Sequence, residues 1–132
     1  MKVKTWQKLT LIAVVGFAAF IGLAAWGLNV IGDGLCGNEI INAVPSPDRT
    51  HEAVVFQRDC GATTGWSTQV SVLRSGTSLP NKVGNAFIVD GRANVGIQWL
   101  SSTELRLTWP AVSRVSKRNS ELSGVRISYE AE

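Results

Sequence analysis

Ala93-Asn94-Val95-Gly96-Ile97-Gln98-Trp99-Leu100-Ser101-Ser102-Thr103-Glu104-Leu105-Arg106-Leu107-Thr108-Trp109 is the stretch that decides the fold class. Ala93, Val95, Ile97 and Trp99 alternate with Asn94, Gly96 and Gln98, and Leu105, Leu107 and Trp109 alternate with Glu104, Arg106 and Thr108. A period of two puts successive side chains on opposite faces of an extended chain. Leu100 to Thr103 between the two runs reads as a short hairpin connection, and Pro110 ends the second run.

The same alternation extends outward in both directions. Trp66, Thr68, Val70 and Val72 point one way while Ser67, Gln69 and Ser71 point the other; Val125, Ile127 and Tyr129 alternate with Arg126, Ser128 and Glu130. One apolar and one polar face per strand is the antiparallel pattern, whereas strands of parallel sheets read as continuous apolar runs. Shorter apolar pieces at Glu39 to Val44, Ala53 to Phe56 and Ala86 to Val89 complete a set of about seven strands. Turns are marked by Pro45-Ser46-Pro47-Asp48, by the loop Ser75 to Asn81, by Asp90-Gly91, and by Lys117 to Ser123, which reads as the last hairpin loop. The expectation is an all-β unit, a small antiparallel meander or sandwich, in residues 33–132.

Upstream the pattern changes character. Residues 9–32 carry no formal charge, and Thr10 and Asn29 are their plainly polar members. As a helix, these residues reach roughly 36 Å, enough for a ~30 Å hydrocarbon core with some tilt. Trp6 and Trp26 stand where two interfacial aromatics are expected. Lys2, Lys4 and Lys8 precede the segment and Asp33 follows it. The positive-inside bias then leaves residues 1–8 as a cytoplasmic tail and sends residues 33–132 outward.

A cleaved signal peptide also has a basic start and an apolar core. Its core usually runs about 7–15 residues and ends in a small-x-small site. Here the apolar stretch continues further, and Leu23-Ala24-Ala25 puts Leu where a small residue is preferred. Lipidation at Cys36 is disfavoured by Asp33 and Leu35 in the preceding positions. Ala18 and Gly22 form a small-xxx-small pair that an Ala- and Gly-rich helix produces readily. A retained single-pass anchor at residues 9–32 is the expectation.

The charge balance excludes one class of function. Residues 33–132 hold ten basic and ten acidic side chains, so the chain's net +3 is the charge of Lys2, Lys4 and Lys8. Binding nucleic acid needs excess positive charge on the domain that binds, and that excess is missing here.

Cys36 and Cys60 both follow the apolar segment. Two cysteines in a small exported domain read as one disulfide. It would close a 25-residue loop and contribute roughly 3 kcal/mol in the chain-entropy picture. A metal or redox role finds no support, because the chain has no Cys-x-x-Cys and its one histidine is His51. No cofactor is implied.

A hydrolytic triad would draw on His51, Asp59 and either Ser67 or Thr63, but no nucleophile-elbow glycine pattern surrounds any serine. Carboxylate pairs could come from Glu52 with Asp59 or from Asp48 with Glu52, all of which read as solvated strand and turn residues. Arg114, Lys117 and Arg118 form a basic cluster that reads as a solvated loop. No catalytic or metal-binding residue is assigned.

The least generic segment is Arg58-Asp59-Cys60-Gly61-Ala62-Thr63-Thr64-Gly65. One reading is a disulfide-anchored corner, tightened by its glycines and threonines. The other is a recognition loop of Asp59, Gly61, Thr63 and Thr64 with Trp66 exposed beside it. Ser46-Pro47-Asp48 before Ala53-Val54-Val55-Phe56, and Ile97 to Ser101 before Leu105-Arg106-Leu107, resemble the inner hairpins of TolB-type propeller blades. A propeller needs at least four blades, more than this length supplies, so the likeness is one of hairpin style.

Ser46-Pro47-Asp48, Ala53 to Phe56, Asp59-Cys60-Gly61-Ala62-Thr63-Thr64, Gln69-Val70-Ser71 and Leu79-Pro80-Asn81 together resemble a family of small bacterial envelope proteins of uncharacterised function. The resemblance covers about Cys36 to Trp109. Many relatives continue Ser-Pro-Asp with Gly where this chain has Arg49. It implies a bacterial envelope location and no catalytic residue.

The expected function is therefore a membrane-anchored, non-catalytic binding or accessory-subunit protein of the bacterial inner membrane. Its N-terminus would be cytoplasmic and its β-domain periplasmic. Its partners would be the lipid bilayer and another membrane or periplasmic protein, with no nucleic acid. The alternative is a soluble periplasmic ligand- or inhibitor-binding module released by signal cleavage, with a small hydrolase third.

Overall fold

A computed structural model describes residues 2–62 and 64–132; the side chains of residues 2, 3, 29, 30, 32 and 33 lie outside that description. The chain divides into two compact units, Met1–Gly34 and Leu35–Glu132.

The first unit is one helix, α1 (Lys2–Gly34). It has no proline, and Ala and Leu, both good helix formers, recur along it. The Thr10 hydroxyl turns back onto the helix, 2.9 Å from the Trp6 carbonyl oxygen. Lys4–Leu28 is long and apolar enough to cross a membrane, and none of that window is buried within the protein. Trp6 and Trp26 are both exposed, as are Lys4 and Lys8.

The second unit is all β. Its strands are β1 (Gly37–Pro45), β2 (His51–Asp59), β3 (Ser67–Arg74), β4 (Phe87–Asp90), β5 (Gly96–Ser101), β6 (Glu104–Trp109), β7 (Val115–Arg118), β8 (Glu121–Leu122) and β9 (Val125–Ala131). One sheet has the order β1-β2-β3-β4-β7 and the other β5-β6-β9-β8. Ala53, Val55, Val70, Val72, Phe87 and Val89 from the first sheet join Leu105, Leu107, Trp109, Val125 and Ile127 from the second in one buried cluster. The unit is a small two-sheet sandwich.

The expected set of about seven strands is roughly right: there are nine, the two-residue β8 among them. Lys117 to Ser123, however, is not one loop: β7 takes Lys117 and Arg118 into the first sheet beside β4, and the last hairpin turn is Ser123-Gly124, both at positive φ. Nor is every pairing antiparallel, since β6 and β9 are parallel, with Leu105 opposite Ile127 and Leu107 opposite Tyr129. The chain leaves β6, adds β7 to the first sheet, and returns to lie beside β6 running the same way. Alternation survives because each strand still buries one face only.

β3 is less half-buried than its alternation predicts, and β2 buries side chains on both faces. Val54 and Phe56 lie on the face of β2 turned away from the second sheet, yet both are buried. Segment 79–85 lies across that face, held by polar groups. The Gly84 N–H donates to Gln69 Oε1 at 2.6 Å. Asn85 Oδ1 accepts the Val72 N–H at 2.8 Å, and its Nδ2 donates to the Val72 carbonyl at 2.9 Å. Asn38 Nδ2 reaches the carbonyls of Pro80 and Lys82, and buried Arg58 donates to Asn38 Oδ1 and Asn81 Oδ1. Contact is so close at Gly84 that an added Cβ would lie 2.8 Å from the Val70 carbonyl oxygen.

The corner before β2 is organised by one carboxylate. Asp48 Oδ1 accepts from Ser46 Oγ at 2.7 Å, from Thr50 Oγ1 at 2.8 Å and from the Thr50 N–H at 3.1 Å. Arg49 beside it has φ 58, the left-handed geometry that glycine takes most easily, so the turn keeps a glycine-type shape although the residue is arginine. The Ser46 hydroxyl first, then Thr50, hold the Asp48 pKa down to about 2 from 3.8. A depressed carboxylate pKa contributes stability that is complete above the unfolded value and is lost as pH falls through the folded one. The corner should hold above about pH 4 and loosen between about pH 4 and pH 2. An NMR titration of the Asp48 carboxyl checks this; a midpoint near 4 would mean that these bonds are not made in solution.

Candidate functional site

The Cys36–Cys60 disulfide forms, with an S–S distance of 2.05 Å. It lies one step beyond the Gly37–Asp59 pair and so extends the β1–β2 ladder by a covalent rung. From the other side Asn81 Nδ2 donates to the Cys36 carbonyl at 2.8 Å.

The chain after Cys60 turns tightly. The Gly61 N–H donates to Asp59 Oδ1 at 3.0 Å, and the Thr64 N–H donates to the Gly61 carbonyl at 3.2 Å. Gly61 has φ 102, which costs a glycine little and a side-chain-bearing residue much. Thr63, part of the expected recognition loop, lies outside the described residues.

Trp66 follows this turn and stays 37% exposed. Its backbone is pinned, since its carbonyl accepts the Gly91 N–H at 2.7 Å. Thr68 Oγ1 braces the same neighbour by donating to the Gly91 carbonyl at 2.8 Å and accepting the Ala93 N–H at 3.0 Å. The Arg92 guanidinium lies 4.0 Å from the Trp66 ring centroid, a cation–π contact that holds the indole in place. Two open concavities share Trp66. One, of about 420 Å³, is lined by Asp59, Gly61, Ala62, Thr64 and Gly65. The other, of about 550 Å³, is lined by Gly65, Ser67, Asp90, Gly91 and Arg92.

The structure thus brings together Asp59, Gly61, Thr64 and Trp66, and adds Asp90 and Arg92. Arg92 is far from Trp66 in sequence, and only the antiparallel β3–β4 register, with Ser67 opposite Asp90, carries it there. The turn signal at Asp90-Gly91 was legible, but its neighbour was not. Trp109 is core, and Trp99 is partly buried with Nε1 donating to the Val44 carbonyl at 2.9 Å.

The residues a hydrolytic triad would draw on are not assembled. His51 and Asp59 stand at opposite ends of β2, roughly 26 Å apart along the strand at its usual rise. Ser67 faces Arg58 at the Asp59 end, away from His51. Among the described residues, no three His, Cys, Asp or Glu side chains gather as metal ligands. In the basic cluster Arg114 and Arg118 are exposed, as expected, while Lys117 Nζ donates to the Gly84 carbonyl and Arg118 lies over the Trp109 ring at 4.6 Å.

The chain matches no protein-family model, no curated protein and no solved structure. What the site offers is therefore read from its chemistry. A partly exposed indole held between two shallow concavities can bury apolar surface against a partner at little entropic cost.

Proposed function

We propose that this protein is a membrane-anchored binding or accessory subunit of the bacterial envelope, held in the inner membrane by α1. Its N-terminus is cytoplasmic and its sandwich lies on the periplasmic side. The observation that carries the reading is the Trp66 corner, because it invests a disulfide, an Asx-type turn and a stacked arginine in holding one exposed aromatic still. A disulfide persists in an oxidising compartment, which agrees with export. The role is non-catalytic, with another membrane or periplasmic protein as partner.

The test is crosslinking and recovery from native membranes, using the full chain. Replacing Leu9–Ile31 by an unrelated transmembrane helix should leave partner capture intact. Trp66→Ala should weaken capture by roughly tenfold or more, as expected at an aromatic hot spot, while the domain stays folded. Capture lost on the helix swap but kept in Trp66→Ala would place recognition in the membrane and overturn the proposal. Recovery of the chain in osmotic-shock fluid, shorter by about 25 residues, would instead identify a signal-released soluble module.

A further inference from the structure

We propose that the opposite mouth of the sandwich, at Arg49 and Arg74, is a binding site for a phosphoryl oxyanion. The position follows from strand register. Val55 faces Val70, Ala53 faces Val72 and His51 faces Arg74 across β2 and β3. Residues two apart share a face, so the apolar rows that face the second sheet end in an imidazole and a guanidinium. The preceding turn brings Arg49 and Thr50 to the same edge, where the Thr50 carbonyl accepts the Ser75 N–H at 3.0 Å. The β8–β9 turn contributes Ser123 from the other sheet. Arg49, Thr50, His51, Arg74, Ser75 and Ser123 line a cavity of about 730 Å³, and none of them is acidic.

Two further observations bear on this mouth. Among the described residues Arg49 and Arg74, like Arg92, Arg114 and Arg118, have no ion-pair partner, so their charge is not already neutralised. The nearby Asp48 carboxylate is engaged by Ser46 and Thr50 instead. Second, Arg49 (φ 58) and Ser123 (φ 50) are the non-glycine residues at positive φ among those described, and both line this cavity. Backbone of this shape favours glycine, so an arginine is held there against its own preference. A side chain kept at such a position is a candidate for function.

The chemistry indicates the ligand. Guanidinium groups are permanently charged and match phosphate oxygens in pairs of parallel hydrogen bonds. Two of them, with the Ser75 and Ser123 hydroxyls as further donors, provide for more acceptor atoms than one carboxylate has. The phosphoryl group can be a free ion or the headgroup of an anionic phospholipid.

The experiment uses the full chain in phosphatidylcholine nanodiscs. One arm titrates inorganic phosphate against chloride at equal ionic strength, following the arginine side-chain NMR signals. The other adds vesicles of phosphatidylcholine with and without phosphatidylglycerol and measures co-sedimentation. Saturable phosphate binding, weakened roughly tenfold or more by Arg74→Ala and by Arg49→Gly but not by Arg106→Ala, supports a free oxyanion as ligand. Phosphatidylglycerol-dependent sedimentation with the same mutant pattern, and no response to free phosphate, supports a headgroup. Arg49→Gly should melt no lower than the parent, because glycine relaxes the turn, so its loss of binding is not a loss of fold. Binding in neither arm, or binding that survives both substitutions, overturns the proposal.

Discussion

Phe87→Ala should cost about 3–5 kcal/mol, the range for deleting a fully buried aromatic side chain. Phe87 has no exposed surface and stacks on Trp109 at 5.3 Å and Tyr129 at 5.5 Å between ring centroids. Phe87 comes from the first sheet and the other two from the second, so this trio joins the layers. The Tyr129 hydroxyl, whose pKa burial pushes up, sits 2.6 Å from the Asn119 carbonyl and cannot move inward to fill the space without giving up that bond. Small domains are stable by about 5–15 kcal/mol, so the loss is a large part of the total. Denaturant unfolding of the full chain in detergent checks it; a loss below about 1 kcal/mol would mean that the trio does not join the sheets.

Removing the disulfide should come next in size, at about 2–5 kcal/mol. Cys36→Ser and Cys60→Ser should be equally damaging, and the double mutant no worse than either, because each single change already breaks the one bond. The bond secures the open ends of β1 and β2 where the Trp66 corner begins. Unfolding under oxidising and reducing conditions measures the effect. Free thiols on both residues in the protein isolated from its native cells would show that the bond does not form there.

Some of this was legible from the residues and some was not. Alternation at Leu105-Leu107-Trp109 and Val125-Ile127-Tyr129 located β6 and β9, because burying every second side chain leaves a mark in composition. Their parallel pairing left none, since the same alternation serves either direction. β7 left no mark because Val115-Ser116-Lys117-Arg118 offers a single aliphatic residue, and half of the strand is exposed. The cover over Val54 and Phe56 was hidden for a similar reason: it is secured by Asn, Gln and Arg side chains, which read as surface. At the candidate site, the Cys60 corner and Trp66 are local in sequence and could be named. Arg92 and the Arg49–Arg74 mouth depend on register, which turns and hydrogen bonds set.

The placement of β9 between β6 and β8 has a consequence for synthesis. The first four strands pair in sequence order, so they can assemble as each emerges. The hairpin of β5 and β6 cannot close its far side until residues 125–131 arrive, and Val125 and Ile127 then cover Leu105 and Leu107. Until that moment the growing chain carries a greasy, half-built layer with an unpaired strand edge, the kind of surface that invites wrong pairing. The interval between the synthesis of Trp109 and that of Ala131 is when this chain is most open to wrong pairing.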